Sequence, residues 1–132
     1  MTDTKILGGA ERILLVDDDE SVSTLLNTML SRLGYDVDVF NSSLDALQIL
    51  LSNRADYDLL ITDLTMPHMT GIELSRKIRD SQRDIPIMIL TGYGESEVSR
   101  DVAHELNIQK VIQKPILKNE LADAVRDLLA CT

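Results

Sequence analysis

The chain is poor in cysteine, in basic residues and in long apolar runs, and each shortage excludes a class of protein. Cys131 is the one cysteine, so neither a disulfide framework nor a cysteine-based metal site is available. The 13 lysine and arginine residues stand against 22 acidic ones, giving a net charge of −9, which argues against direct nucleic-acid binding through a basic surface. No apolar stretch approaches the roughly 18 residues of a membrane span, and no signal segment opens the chain. These shortages predict a soluble, cytoplasmic protein without a membrane partner.

Short apolar runs alternate with amphipathic segments along most of the 132 residues. Residues 1–11 are polar and aperiodic, which predicts a flexible tail or linker remnant before one domain at residues 12–130. Five runs predict strands, at residues 13–16, 35–40, 59–61, 87–90 and 111–113. Strands alternating with helices predict an α/β fold with a doubly wound, five-stranded parallel sheet. The order 2-1-3-4-5 is preferred because it brings the polar ends of strands one, three, four and five together.

Apolar residues at helical spacing predict five helices between and after these strands. The first ends at Gly34, the second is capped by Ser42 or Ser43, the third follows Gly71, and the fourth covers about residues 95–106. The residues predicted to face the core are Val22, Leu25, Leu26, Met29, Leu30, Leu33, Leu47, Leu50, Leu51, Leu74, Ile78, Val98, Val102, Leu106, Leu117, Leu121, Val125 and Leu128.

Polar residues suited to phosphoryl chemistry follow four of the predicted strands. They are Asp17, Asp18 and Asp19 after the first strand, Asp63 after the third, Thr91 after the fourth and Lys114 after the fifth. Because the carboxyl ends of parallel strands meet at one edge of a sheet, we expect these residues to form one site. The carboxylates suit Mg²⁺, and a hydroxyl and an ammonium group would hold the remaining oxygens of a phosphorylated carboxylate.

Each of these residues also has a purely structural interpretation. The acidic triplet can cap the helix that begins near Glu20, and Asp19 can serve in that role alone. A threonine at a strand end is commonly explained by strand propensity, and a lysine before proline is usually a turn residue. The set is therefore specific only when it is taken together.

Four motifs resemble the receiver domains of two-component response regulators, over about residues 12–130. They are Ile13-Leu14-Leu15-Val16-Asp17-Asp18, Leu60-Ile61-Thr62-Asp63-Leu64-Thr65-Met66-Pro67 with Gly71 following, Ile89-Leu90-Thr91-Gly92, and Lys114-Pro115. The resemblance implies a flavodoxin-like fold and a signalling switch that catalyses its own phosphorylation and dephosphorylation, rather than an enzyme acting on other substrates.

The resemblance also implies a role for each site residue. Asp63 would accept a phosphoryl group from a phosphohistidine of a sensor histidine kinase or a histidine phosphotransfer domain. Asp18, Asp63 and the backbone carbonyl of Thr65 would bind Mg²⁺ directly, and Asp17 would act through water. The switch hydroxyl and the phosphate-binding lysine would be Thr91 and Lys114, with a cis bond before Pro115.

This chain departs from the family pattern at two places. Val111 stands where the family keeps an aromatic switch residue, so an inward-swinging ring is not expected, and Asn107-Ile108 replaces the usual Gly-Ala. The resemblance implies that Tyr93 and Thr65 stand at positions that modulate acyl-phosphate lifetime in the family, and we expect the Tyr93 ring to shield the phosphoryl group from water. His68 and His104 are predicted to be solvated surface residues, Met66 and Met69 to pack under the site loop, and Cys131 to be inert.

Two other functions are compatible with parts of this pattern. A haloacid-dehalogenase-type phosphatase also uses an aspartyl phosphate and Mg²⁺, but this chain has no later acidic pair after Lys114. A phosphorylation-independent binding module is the second alternative, and the intact set of site residues argues against it. The leader Gly8-Gly9 and the stretch at 90–95 slightly favour a receiver appended to a hybrid sensor kinase over a stand-alone regulator, and both alternatives stay open. The downstream protein is left open, as is a homodimer formed on phosphorylation.

Overall fold

Ten elements alternate between strand and helix in the computed structural model, which describes residues 11–52, 56–81, 83–92 and 98–130. The strands are β1 (Arg12–Val16), β2 (Asp36–Phe40), β3 (Leu59–Asp63), β4 (Ile87–Thr91) and β5 (Ile108–Gln113). The helices are α1 (Glu20–Arg32), α2 (Ser43–Leu51), α3 (Gly71–Asp80), α4 (Arg100–Glu105) and α5 (Lys118–Ala130). The five strands form one parallel sheet in the order β2-β1-β3-β4-β5, which confirms the predicted fold.

Helices cover both faces of the sheet, so successive strand residues are buried on opposite sides. On one face Ile13, Leu15 and Met88 pack against α1 and α5. On the other face Leu14 and Leu60 pack against α2, α3 and the end of α4. Every residue of β3 and β4 is buried, as expected for central strands of a parallel sheet. Burying one such leucine or isoleucine stabilises the fold by about 1.5–3 kcal/mol, so the two cores hold the central strands firmly in place.

Several local signals in the sequence start and stop the helices as predicted. Asp19 caps α1 by accepting hydrogen bonds from the N–H groups of Ser21 and Val22. Gly34 ends the same helix with a φ of 99°, a left-handed conformation that glycine adopts without a steric penalty. Ser42 caps α2 by accepting from the N–H of Asp45. Helix positions that border the site are therefore set locally.

Three leucines predicted to face the core are exposed instead. Leu25 is 59% exposed because the inward face of α1 is centred nearer to Leu26, and the buried neighbour on that side is Ser23. Leu51, at the last turn of α2, is 47% exposed. Leu117 is 69% exposed because it precedes the first residue of α5 rather than belonging to its inward face. The spacing of apolar residues indicates which face of a helix points toward the sheet, but not how much of that face the sheet buries.

Two predicted boundaries also differ from the structure. The fifth strand begins at Ile108, three residues before the apolar run that indicated it. Helix α4 covers Arg100–Glu105 with Ser99 as its cap, so it is shorter than predicted, and residues 95–97 of the predicted helix lie outside the described residues. The predicted tail at 1–11 lies outside them as well, except for Glu11. Within the described ranges, no helix is long and apolar enough to cross a membrane.

Candidate functional site

The carboxyl ends of four strands bring the predicted polar residues to one edge of the sheet. Asp63 is the last residue of β3 and Thr91 the last of β4, and both are buried. Lys114 follows β5, and its backbone N–H donates to the carbonyl oxygen of Thr91 at 2.7 Å. Asp17 follows β1, where its N–H donates to the carbonyl of Phe40 at the end of β2. The topology thus places four chain segments around one point.

The Lys114 side chain reaches two carboxylates at once. Its Nζ lies 3.0 Å from Asp17 Oδ2 and 3.1 Å from Asp63 Oδ1. The Asp17 side chain is fully buried and that of Asp63 is 8% exposed, so these charges are screened only weakly. Burial opposes the ammonium charge, but hydrogen bonds with Asp17 and Asp63 and their charges outweigh it and raise the pKa of Lys114 above its ordinary value. The lysine is therefore a fixed cation at the site.

Three carboxylates form a cluster that fits a hard cation. One ligand oxygen each from Asp17, Asp18 and Asp63 lies within 4.8 Å of the others. Mg²⁺ binds oxygen at about 2.0–2.1 Å in an octahedral arrangement and usually takes only one or two carboxylates from the protein. One lysine offsets only part of the charge of three acids, and a divalent cation would offset the remainder. The donor set and its charge match Mg²⁺.

Backbone and amide groups hold the acidic loop in place. Asp17 Oδ1 accepts a hydrogen bond from the N–H of Asp19 at 2.9 Å. The Asn41 amide donates to the carbonyl of Asp17 at 2.7 Å and to the Ser23 hydroxyl at 3.1 Å. Asp19 itself does not join the cluster, because its carboxylate accepts hydrogen bonds from the Ser21 hydroxyl and from the N–H groups of Ser21 and Val22 at the start of α1. These hydrogen bonds lower the pKa of the Asp19 carboxyl. The sequence pattern predicted the cap but gave no signal for Asn41.

Gly71 holds the loop that follows Asp63 close against α3. The N–H of Gly71 donates to the carbonyl of Leu64 at 2.8 Å, and the N–H of Leu64 donates to the carbonyl of Leu90. A Cβ added at Gly71 would lie 2.5 Å from the carbonyl oxygen of Asp63. Only glycine permits this approach, so the backbone of Asp63 depends on a residue eight positions further along the chain.

Replacing Gly71 with alanine is expected to lower the free energy of unfolding by about 2–3 kcal/mol, because the backbone of Asp63 or α3 must move to admit the methyl group. Urea unfolding of both proteins measures the change. Thr70→Ala is the control, since it removes the capping box of α3 without crowding Asp63 and should cost about 1 kcal/mol. Equal stability of Gly71→Ala and wild type would contradict the predicted clash.

Four further positions singled out by the family resemblance lie in loops or on the outer strand. Thr65 is exposed, two residues beyond Asp63, and Val111 is 41% exposed on β5, the outer strand. The Lys114–Pro115 peptide bond is cis, as the family resemblance implied. Asn107 adopts a φ of 53°, which asparagine tolerates better than most residues and which accounts for its standing in place of a glycine.

Residues predicted to have no chemical role fit that expectation. His68 and His104 are exposed, and His68 adopts a φ of 71° in the loop after β3. Met66 and Met69 are buried beneath this loop, as predicted. Tyr93 and Cys131 lie outside the described residues, so the shielding role of Tyr93 stays a prediction.

Comparisons with known proteins agree with the fold. The response regulator receiver domain family model matches residues 13–126. The CpxR-homologous transcriptional regulatory protein of Haemophilus influenzae is 36% identical over 118 residues, which are 89% of this chain and 50% of that protein. The chain spans about half the length of the curated relatives it matches.

Solved structures of receiver domains superpose closely on this chain. One is a response regulator receiver domain protein from Clostridium thermocellum, with a TM-score of 0.81 and 26% identity over 92% of this chain and 96% of that one. Another is the receiver domain of a signal transduction histidine kinase from Syntrophus aciditrophicus, with a TM-score of 0.79 and 29% identity over 93% of this chain and 92% of that one. The chain belongs to the response regulator receiver domain family of two-component signalling systems.

Proposed function

We propose that Asp63 accepts a phosphoryl group from a phosphohistidine of a sensor histidine kinase or a histidine phosphotransfer domain. A carboxylate oxygen of Asp63 attacks phosphorus, the P–N bond breaks, and its electron pair returns to the imidazole nitrogen. The product is an acyl phosphate on Asp63. The observation that carries the proposal is the position of the Lys114 ammonium group. It lies 3.1 Å from Oδ1 of the buried Asp63 carboxylate, at the carboxyl edge of the sheet, where that carboxylate is suited to act as a nucleophile.

The neighbouring residues are suited to hold the transferred group. Lys114 pairs with one phosphoryl oxygen, exchanging part of its present contact with Asp63 for a contact with the product. The Thr91 hydroxyl donates to a second phosphoryl oxygen. Thr91 is suited to this role because it ends β4, the strand next to β3, and its carbonyl accepts a hydrogen bond from the N–H of Lys114. Phosphoryl transfer needs little covalent help from the protein, so this positioning supplies most of the catalysis.

We assign the Mg²⁺ ligands to Asp18, Asp63 and the backbone carbonyl of Thr65, with Asp17 acting through water. Asp17 suits the indirect role because Lys114 and the N–H of Asp19 already occupy its two carboxylate oxygens. Asp18 is exposed at the mouth of the cluster and is suited to the direct role. When bound, Mg²⁺ neutralises charge on the third phosphoryl oxygen.

Acetyl phosphate with Mg²⁺ is expected to transfer one phosphoryl group per chain, and chelation with EDTA should stop the reaction. Intact-protein mass spectrometry measures the stoichiometry. Asp18→Asn replaces a charged ligand of the cluster with a neutral amide at an exposed position. This variant should raise the Mg²⁺ concentration needed for half-maximal labelling by about tenfold or more. Labelling that is unaffected by EDTA would contradict the Mg²⁺ assignment, and no labelling at all would contradict the phosphoacceptor.

Two exposed leucines, Leu25 and Leu117, support a docking surface for the phosphodonor protein. Leu25 on α1 and Leu117 on the loop after Lys114 belong to the elements with which the family usually contacts its kinase. Both side chains are large, apolar and more than half exposed, although each lies in a stretch that predicts burial. Apolar anchors of this kind often contribute most of the affinity at an interface.

Leu25→Ser is expected to slow transfer from a phosphorylated histidine kinase by about tenfold, because a docking contact is lost, while labelling by acetyl phosphate stays unchanged. The kinase used is the one that phosphorylates the wild-type chain fastest. Leu51→Ser is the matched control, since Leu51 is similarly exposed on α2, away from both docking elements. Equal effects of the two variants on kinase transfer would exclude Leu25 as a specific contact.

Phosphorylation then acts as a switch by favouring one of two conformations of the domain. A phosphoryl group shifts this equilibrium only as far as it binds the two conformations differently, and the contact with Thr91 is the proposed source of that difference. The affected surface includes α4, which follows Thr91 along the chain, and it would contact a downstream protein or a second copy of the domain.

A further inference from the structure

Helix α4 is held weakly by apolar packing along most of its length. None of the residues Arg100–Glu105 is buried, and Val98, Val102 and Ala103 are only partly buried against the α2–α4 face of the core. The first buried apolar residue is Leu106, at the C-terminal cap. A helix of six residues with so little burial needs other contacts to keep its place.

Those contacts come from Arg79, near the end of α3, and they converge on the turn after α4. Its Nε donates to the carbonyl of Leu106 at 2.7 Å and its Nη2 to the carbonyl of Asn107 at 3.1 Å. Its Nη1 donates to the carbonyl of Arg83 at 2.8 Å. One planar guanidinium group thus ties together the end of α3, the segment after it and the end of α4.

The hydrogen bonds from Arg79 reach the C-terminal end of α4, where a positive charge is most favourable. The last carbonyls of a helix have no partners within the helix and carry its partial negative charge, so a cation placed there is favourable. Asn107 has a φ of 53°, and its N–H donates to the carbonyl of His104 at 3.2 Å, so Arg79 holds a turn that is itself conformationally restricted. The N-terminal end of α4 has a cap from Ser99 but no comparable contact with α3 among the described residues.

A second arginine one turn earlier adds little to this attachment. Arg76 Nη1 lies 2.6 Å from Glu105 Oε2, but both side chains are about half exposed. Exposed ion pairs are screened by solvent and often contribute almost nothing to stability. The fixed point is therefore at the carbonyls bound by Arg79 rather than at the ion pair.

We propose that Arg79 is a latch that fixes the C-terminal end of α4 to α3, so that α4 moves by pivoting about the Leu106–Asn107 turn. The half of the helix nearer to Thr91 is then the moving part. The identification of the trigger as phosphorylation of Asp63 rests on the proposed function, whereas the latch is a property of the unphosphorylated domain. Arg79 acts on the response of α4 and does not contact the site.

Amide hydrogen exchange of the unphosphorylated protein, resolved by NMR, tests the latch. In wild type the amides of Leu106 and Asn107 should exchange about tenfold more slowly than those of Val102 and Ala103. Arg79→Gln should abolish this difference by accelerating exchange at Leu106 and Asn107. Arg76→Gln is the matched control on the same helix and should preserve it.

Two results would overturn the latch. One is the same exchange at Leu106 and Asn107 in Arg79→Gln as in wild type, and the other is an equal acceleration in Arg76→Gln. Arg79→Lys keeps the charge but not the planar set of donors, so the amides of Leu106 and Asn107 should exchange at a rate between those of wild type and Arg79→Gln. If Arg79→Gln does not fold, exchange at the wild-type rate in Arg79→Lys would overturn the latch. Failure of acetyl phosphate to label the protein would contradict the phosphoacceptor but leave these exchange rates as the test of the latch.

Discussion

Asp63→Asn is expected to reduce phosphoryl incorporation to background, a loss of at least about a thousandfold, because the amide lacks the carboxylate nucleophile. The change is nearly isosteric, and Asp63 is buried beside Lys114, so the surrounding packing should stay in place. Labelling with acetyl phosphate and Mg²⁺, followed over time for both proteins, measures the effect.

Asp84→Asn is the control for this substitution, since Asp84 is an exposed carboxylate in the segment before β4. It should be labelled at the wild-type rate. Circular dichroism and urea unfolding establish whether Asp63→Asn remains folded. Its free energy of unfolding should not fall, because the substitution removes one negative charge from a cluster of three acids and so reduces their repulsion. Substantial labelling of a folded Asp63→Asn protein would place the acceptor elsewhere.

Lys114→Met is expected to lower the free energy of unfolding by about 3 kcal/mol in the absence of Mg²⁺, because it leaves the fully buried Asp17 carboxylate without its cation. The same variant should be labelled about a hundredfold more slowly, since one phosphoryl oxygen loses its charged partner. Urea unfolding and the labelling time course measure the two effects separately.

Lys110→Met provides the matched comparison, because Lys110 lies on β5 and pairs with Asp127 at 3.9 Å, where the two side chains are 40% and 64% exposed. Its stability should change by less than about 1 kcal/mol and its labelling should not change. Added Mg²⁺ should recover part of the stability of Lys114→Met by supplying positive charge to the carboxylates. Equal stability losses in the two lysine variants would contradict the role of the buried pair.

The arrangement of the site was largely predictable from the sequence, because it follows from topology. Asp63, Thr91 and Lys114 each end an apolar run, and parallel strands whose polar ends must meet restrict the sheet to few orders. The structure confirms the order and brings these side chains to one edge. The chemical role proposed for each of these residues rests on the family pattern, which the topology alone does not supply.

Several contacts that hold the site and α4 in place could not be predicted from the sequence. Gly71 and Arg79 act through contacts that cross between elements, and Asn41 binds a carbonyl 24 residues earlier in the chain. Neither periodicity nor local motifs encode such contacts. The exposed positions of Leu25 and Leu117 were missed for a related reason, since a stripe of leucines gives no information on how much of it the sheet covers.

The most direct test of the account is to identify the phosphorylated residue. The protein is labelled with acetyl phosphate and Mg²⁺, the acyl phosphate is reduced with borohydride to leave homoserine, and the product is mapped by tandem mass spectrometry. The account predicts homoserine at position 63 and at no other aspartate. A reduced residue at Asp17 or Asp18, or a phosphoryl group that resists borohydride and maps to a hydroxyl side chain, would contradict it.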